Sequence, residues 1–190
     1  MNDINKWFQK DGLNFLKDIG VREGHTILDF GCGVGNYTIP AAKIAGNDGT
    51  VYAVDKDSSS LEIVERIAKS EGMENIVTIN DNSKVLNINL KVNSVDVMLF
   101  YDVLHYIDKI NRKTIYKNAY KILKPGAILS VFPKHRKADM PMWNLDEIDL
   151  EDIIKEIEAS GFHLEQTFSK MLIHDDMYDE GYIINFRKPY

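Results

Sequence analysis

Apolar positions along the chain switch between two spacings. Five short stretches are almost continuously apolar: 26–30, 50–54, 76–79, 95–100 and 127–132. Runs of this length predict strands buried on both faces. Between them, apolar residues recur every three or four positions, the period of a helix with one face on a core. That spacing predicts helices over 36–45, over 58–70 on Leu61, Val64 and Ala68, and over 108–123 on Ile115, Ala119, Ile122 and Leu123. A further helix is predicted from Leu150 through Ile153, Ile154 and Ile157 to a stop at Gly161. Pro40 falls in the first turn of its helix, where a missing N–H removes no bond. The serines at 58–60 are candidate caps. Asn47-Asp48-Gly49 and Lys124-Pro125-Gly126 punctuate the alternation as turns.

The two ends of the chain read differently. Ile4, Trp7, Phe8, Phe15, Leu16 and Ile19 share a helical face, and Gly12 in the middle predicts two short helices with a stop at Gly20. The tail holds two strand candidates, 162–173 and 182–186, with no helix between them. Parallel neighbours need a long crossover, so the last strand is predicted antiparallel. Strands alternating with helices define an α/β sheet of mostly parallel strands in a single domain over 1–190.

Composition narrows the function classes. The 190 residues suffice for one core without staples. A net charge of −6 disfavours broad nucleic-acid binding, which needs a positive footprint. The local run Lys134, His135, Arg136, Lys137 reads as a solvated loop against the alternative of a phosphate site. Cys32 is the one cysteine, so neither an internal disulfide nor a thiolate metal site forms. No apolar run approaches the roughly 20 residues of a membrane span, and the start lacks a signal-peptide core. A cytoplasmic protein is expected.

The chemistry concentrates after the first strand, in Asp29-Phe30-Gly31-Cys32-Gly33-Val34-Gly35. Glycines there let backbone approach a ligand, and the next helix offers free N–H groups. The spacing is Gly-x-Gly-x-Gly, and the third position of a dinucleotide fingerprint falls on Asn36. Asp29 before the glycines would repel a pyrophosphate and suits a cation or ammonium group; the alternative is a cap for the following helix. Cys32 reads as a small filler in the turn. Asp55 ends the second strand about 20 residues on, where an acid accepts from ribose hydroxyls.

With those residues in hand, the resemblance is to class I S-adenosylmethionine-dependent methyltransferases, in the ubiquinone/menaquinone-biosynthesis-type branch. Leu28 to Gly35 resembles the family's first motif, Val51-Tyr52-Ala53-Val54-Asp55 its second-strand motif, and Leu123-Lys124-Pro125-Gly126 the turn before its fifth strand. The resemblance implies a Rossmann-like three-layer sandwich on a seven-stranded sheet, with residues 1–20 covering the cofactor site. It implies S-adenosylmethionine as cofactor and S-adenosylhomocysteine as product. Asp29, Gly31, Cys32, Gly33 and Gly35 would surround the methionine part, Asp55 the ribose, and Lys56 the neighbourhood of the adenine. Asp81 and Asn82 would meet the adenine, although Asn80-Asp81-Asn82 departs from the family's small residues and leaves a plain surface loop as the alternative. Phe100 would lie near the methionine portion.

Methyl transfer is an in-line displacement in which positioning and water exclusion matter most. His105 is the candidate base if the acceptor must lose a proton, with packing beside the cofactor as the alternative. Asp102 and Tyr101 are candidate substrate contacts or structural residues. His135 and His163 read as surface or packing residues, and no His/Asp/Glu set has metal-ligand spacing, so no metal is expected. Positions 133–149, with Met140, Met142 and Trp143, form either a short lid or packing for the next helix. Trp7 and Phe8 either cover the cofactor or join the core. The function expected is methyl transfer to a small molecule. A noncatalytic module binding S-adenosylmethionine or S-adenosylhomocysteine, and a macromolecular acceptor, are the alternatives.

Overall fold

The computed structural model describes residues 2–190. Seven strands form one sheet: β1 (Thr26–Phe30), β2 (Thr50–Asp55), β3 (Ile76–Asn80), β4 (Val95–Tyr101), β5 (Leu123–Phe132), β6 (His163–His174) and β7 (Met177–Arg187). Their order is β3-β2-β1-β4-β5-β7-β6. The first five pair in parallel, and β7 runs antiparallel to both β5 and β6. The antiparallel last strand follows from its connection, a turn at Asp175 and Asp176 too short to cross the sheet.

Helices cover both faces. On one lie α1 (Asp3–Lys6), α2 (Gly12–Asp18), α3 (Thr38–Ala45) and α4 (Ser58–Ser70); on the other lie α5 (Lys109–Ile122) and α6 (Leu150–Glu158). Strand β4 shows how the layers divide: Val95, Met98 and Phe100 enter the core under α5 and α6, whereas Val97, Leu99 and Tyr101 enter the core under α2 and α3. Burial on both faces is why this strand reads as an apolar run broken only by Asp96. The β3–β4 connection, 81–94, contains no helix.

Several boundaries differ from the sequence reading for local reasons. The first helical segment is not split at Gly12. It runs on through a π-helical turn, Trp7–Asp11. A Cβ at position 12 would sit 2.8 Å from the Trp7 indole, so the glycine makes room for the ring rather than breaking the helix. Trp7 itself is fully buried and donates through Nε1 to the Asn36 carbonyl at 2.8 Å. The cap of α4 is Asp57, whose carboxylate accepts from the N–H groups of Ser59 and Ser60. Strand β7 begins at Met177, five residues before its apolar segment, because pairing with β6 carries it into polar sequence. Of the run 134–137, only Lys137 is exposed. Lys134, His135 and Arg136 are all buried, and Lys134 is paired with Asp139 at 2.8 Å and Asp179 at 2.6 Å.

One buried ion pair ties the α5/α6 layer to the carboxyl edge of the sheet. Arg112 on α5 holds both carboxylate oxygens of Glu156 on α6, at 2.9 and 3.0 Å. Its remaining donors reach the carbonyls of Ile107 and Asn144. Removing one partner of such a pair strands the other charge in a buried setting. Arg112→Ala is expected to cost about 3–5 kcal/mol in urea unfolding, with Tm lowered by roughly 2–4 °C per kcal/mol. A loss below about 1 kcal/mol would show that the pair carries no structural weight.

Candidate functional site

The strand order reverses between β1 and β4, and the crevice at that switch point lies beyond the carboxyl ends of the strands. A cavity of about 680 Å³ occupies it, within the roughly 300–1,000 Å³ usual for small-molecule sites. Its wall draws on Gly31, Cys32 and Gly33 after β1, Asp55 and Lys56 after β2, Asp81 and Lys84 after β3, Asp102 and Tyr106 after β4, and His174 to Asp176 at the hairpin tip.

The glycine turn is folded back onto β2. The N–H groups of Gly31 and Cys32 both donate to the Val54 carbonyl, at 2.8 and 3.1 Å. The Gly33 N–H donates to Asp55 Oδ2 at 2.8 Å, and Asp55 Oδ1 accepts from the Asp57 N–H at 2.9 Å. Asp55 therefore shapes the turn as well as lining the cavity. Gly31 and Gly33 both have positive φ, at 75° and 50°. A Cβ on Gly31 would overlap Val103, whereas one on Gly33 would meet nothing. The turn thus presents bare backbone to open cavity at Gly33. Cys32 is buried, and that burial holds its thiol protonated, in keeping with a filler.

Asp29 stands behind this wall rather than in it. It is 2% exposed, and its Oδ2 accepts from the Thr38 hydroxyl at 2.6 Å. Thr38 opens α3, so the carboxyl anchors the helix that follows the turn. Burial pushes its pKa up to about 7, and the Thr38 bond acts the other way. Gly35, Asn82 and Phe100 likewise lie outside the cavity wall. Phe100 packs on Phe30 with ring centroids 5.5 Å apart. Asn82 is exposed, and its amide reaches only Asn80 Oδ1, at 3.4 Å. Asp81 does line the cavity while its carboxylate orders its own loop, accepting from the N–H groups of Ser83 and Asn87. Lys56 Nζ lies 5.0 Å from the Tyr106 ring centroid, a cation–π contact across the mouth.

Among the described residues, none of the first 20 positions contributes to the cavity wall. The cover comes instead from the β6–β7 hairpin tip. Asn36 Nδ2 donates to the Asp175 carbonyl at 2.9 Å, and the Tyr37 hydroxyl to the Ile173 carbonyl at 2.8 Å. The N-terminal helices support the same tip from behind, through Tyr178 and Asp11. The stretch 133–149 does not line the cavity either. Its exposed Trp143 stacks on His105, with ring centroids 5.4 Å apart.

The three candidate catalytic residues separate. Tyr101 lines the cavity, but its hydroxyl is committed 2.7 Å from Ser130 Oγ, and burial raises its pKa; His105 does not line the cavity. His105 and Asp102 stay together, with Nδ1 and Oδ1 3.5 Å apart. Both atoms are buried without a hydrogen-bond partner. Burial and the neighbouring His135 pull His105 down to about 4, and burial raises Asp102 to about 6. Two histidines left out of the candidate list join them. His135 Nε2 is 3.7 Å from Asp102 Oδ1, and His174 Nε2 is 3.0 Å from Asp102 Oδ2. Sequence spacing gave no hint of this grouping, because the residues follow β4, follow β5 and end β6. Only the strand order makes them neighbours. The one available signal was that each follows a predicted strand within three residues. His163 is exposed near the start of β6.

A doubly wound sheet with a glycine turn and an acid at its switch point defines a protein built to hold a nucleotide-like ligand. Residues 27–126 match the model of the methyltransferase domain family, 100 of the 190 positions, and the chain belongs to that family. It is 34% identical to the probable cobalt-precorrin-6B C(15)-methyltransferase (decarboxylating) of Methanosarcina acetivorans, over 70% of this chain and 72% of that one. It is 29% identical to the demethylmenaquinone methyltransferase of Geobacillus stearothermophilus, over 65% of this chain but 49% of that one. The chain thus spans about half the length of that relative. A SAM-dependent methyltransferase from Aquifex aeolicus shares the fold, with a TM-score of 0.76, 20% identity, and coverage of 98% of this chain and 94% of that one.

Asp29 makes the site's cost in stability measurable. Its folded pKa lies above the unfolded value of 3.8, so its contribution is fully present below about pH 4 and lost as pH rises through about 7. Asp29→Asn keeps an acceptor for Thr38 and removes the titration. At pH 8 the variant is expected to be more stable than the parent, by on the order of 4 kcal/mol at most. The gap should shrink towards pH 4. Parallel stability–pH curves for the two proteins would refute this.

Proposed function

We propose that the chain is an S-adenosylmethionine-dependent methyltransferase acting on a small-molecule acceptor. The observation that carries the reading is Asp55. One carboxylate both clamps the Gly33 N–H and lines the cavity that Gly31, Cys32 and Asp81 also line. Each Asp55 oxygen has a second lone pair for a ribose hydroxyl. Gly33 leaves open space where a side chain would otherwise stand, so the cradle fits a ligand lying along backbone. Asp81 and Lys84 offer polar contacts on the β3 side for the adenine end, with Lys56 and Tyr106 closing over it. Asp29, behind the turn, positions α3 and leaves its second oxygen without a donor among the described residues.

When bound, S-adenosylmethionine supplies a methyl carbon made electrophilic by its sulfonium. The chain's part is to align that carbon with an acceptor and to exclude water. Asp102 and His174 stand at the end of the cavity opposite Asp81, beyond β4, and we place the acceptor there. The hairpin tip, bonded to Asn36 and Tyr37, shields the crevice from solvent. The names of the matching relatives, a demethylmenaquinone and a cobalt-precorrin methyltransferase, support a small-molecule acceptor. The single buried cysteine and the lack, among the described residues, of a helix able to cross a membrane support a cytoplasmic setting.

Calorimetry with S-adenosylmethionine tests the binding half. Saturable binding is expected, weakened about 10- to 100-fold by Asp55→Ala, which removes a charged acceptor. Gly33→Val should weaken binding similarly, because its side chain enters the cavity, at a folding cost of roughly 1–2 kcal/mol for its left-handed backbone. Absence of binding at high micromolar cofactor would sink the proposal. Radiolabelled methyl transfer to components of a cell extract tests turnover. Binding without any labelled acceptor would favour a noncatalytic module, and label in protein or RNA alone a macromolecular substrate.

A further inference from the structure

We propose that Asp102, His135 and His174 form a binding site for a divalent transition-metal ion at the acceptor end of the cavity. Each offers one ligand atom, and the three atoms lie within 4.8 Å of one another. The closest approaches to Asp102 are 3.0 Å from His174 Nε2 and 3.7 Å from His135 Nε2. Donors bound at about 2.0–2.2 Å to one ion stand roughly 3–4 Å apart, so these separations need little adjustment.

The hydrogen bonding around His135 points the same way. Its Nδ1 is 2.9 Å from the Met140 carbonyl. A carbonyl oxygen only accepts, so Nδ1 carries a proton, and it is Nε2, the nitrogen facing Asp102, that is left to serve as a ligand atom. A second partner that fixes the tautomer in this manner is the usual support of a metal-bound histidine. The atom it faces, Asp102 Oδ1, is buried and has no hydrogen-bond partner. His105 Nδ1, 3.5 Å away, is also buried and unpartnered. A carboxylate oxygen with no donor of its own, facing imidazole nitrogens in a buried pocket, is suited to a cation between them.

Backbone strain marks the same residues. Asp102 and His135 hold φ of 52° and 65°, a region that costs non-glycine residues on the order of 1–3 kcal/mol and concentrates at functional sites. Backbone bonds fix both: the Asp102 N–H donates to the Phe132 carbonyl, and the Met142 N–H to the His135 carbonyl. The three ligands stand beyond the carboxyl ends of β4, β5 and β6, all on one edge of the sheet. Two imidazoles and one carboxylate suit zinc, iron, cobalt or nickel better than magnesium or calcium, which prefer oxygen ligands. Asp102 and His174 line the cavity, so the positions left open on the ion would face it. The assignment does not depend on which methyl donor the other end holds.

The test uses the untagged 190-residue chain stripped with a chelator, titrated with Co²⁺ by visible absorption and with Zn²⁺ by calorimetry. One equivalent per chain is expected to bind, with a rise in Tm on loading. His135→Ala and His174→Ala should each weaken binding at least about tenfold, by loss of a ligand rather than of an outer partner. His163→Ala, on the exposed part of β6, should bind as the parent does. Should the variants fold poorly, nitrogen NMR of the parent decides: Zn²⁺ must move the resonances of His135 and His174. No saturable uptake by the parent at hundreds of micromolar metal would overturn the proposal. So would binding that survives His174→Ala unchanged, or shifts confined to His25 and His163. Protonated His135 or His174 rings that stay unshifted by Zn²⁺ would assign the cluster to an ion pair instead.

Discussion

The hydrogen bond from the Gly33 N–H to Asp55 is the constraint on which the cavity depends. It closes a turn that has already folded back through the Gly31 and Cys32 N–H groups onto Val54. The segment that follows then becomes a hub. Asn36 receives the Trp7 indole through its carbonyl and gives its amide to the hairpin tip, and Tyr37 reaches the same tip. Three distant parts of the chain, the end of β2, the N-terminal helices and the hairpin tip, thus meet on residues 31–37.

Much of this architecture is legible in the sequence, and for a clear reason. Strands such as β4 are buried on both faces, so they appear as nearly unbroken apolar runs, and the helices between them carry one apolar stripe each. Local chemistry is legible too where it is local: the glycine spacing, the acid at the end of β2, the two-strand tail. What stays hidden is whatever the tertiary arrangement decides. Gly12 looks like a helix breaker until Trp7 is seen to need its space. Lys134, His135 and Arg136 look like a solvated basic run, yet all three are buried, Lys134 by pairing with two carboxylates. Charge in a sequence marks exposure only when no partner waits in the fold.

The candidate site divides along the same line. Of the positions assigned from the motif, Gly31, Cys32, Gly33, Asp55, Lys56 and Asp81 line the cavity. Others support that wall from behind, as Asp29 does through Thr38 and Phe100 does through Phe30. A motif records which residues a ligand site requires. It does not distinguish contact with the ligand from support of the residue that makes contact.

The two ends of the cavity obey different logics. The glycine-turn end is built from one contiguous turn plus acids after the next two strands, so its signature is short-range and reads as a motif. The other end takes Asp102, His135 and His174 from three strand ends separated by 33 and 39 residues, and no spacing rule joins them. Two left-handed non-glycine residues, an unpartnered carboxylate oxygen and an unpartnered imidazole nitrogen meet there. Left-handed backbone also occurs at Lys84, Leu86 and Asn93, and the buried Tyr116 hydroxyl is unpartnered too, so what sets this end apart is that such features fall on facing ligand atoms. Such costs persist when something bound repays them, and a cation among those lone pairs would relieve the electrostatic part directly.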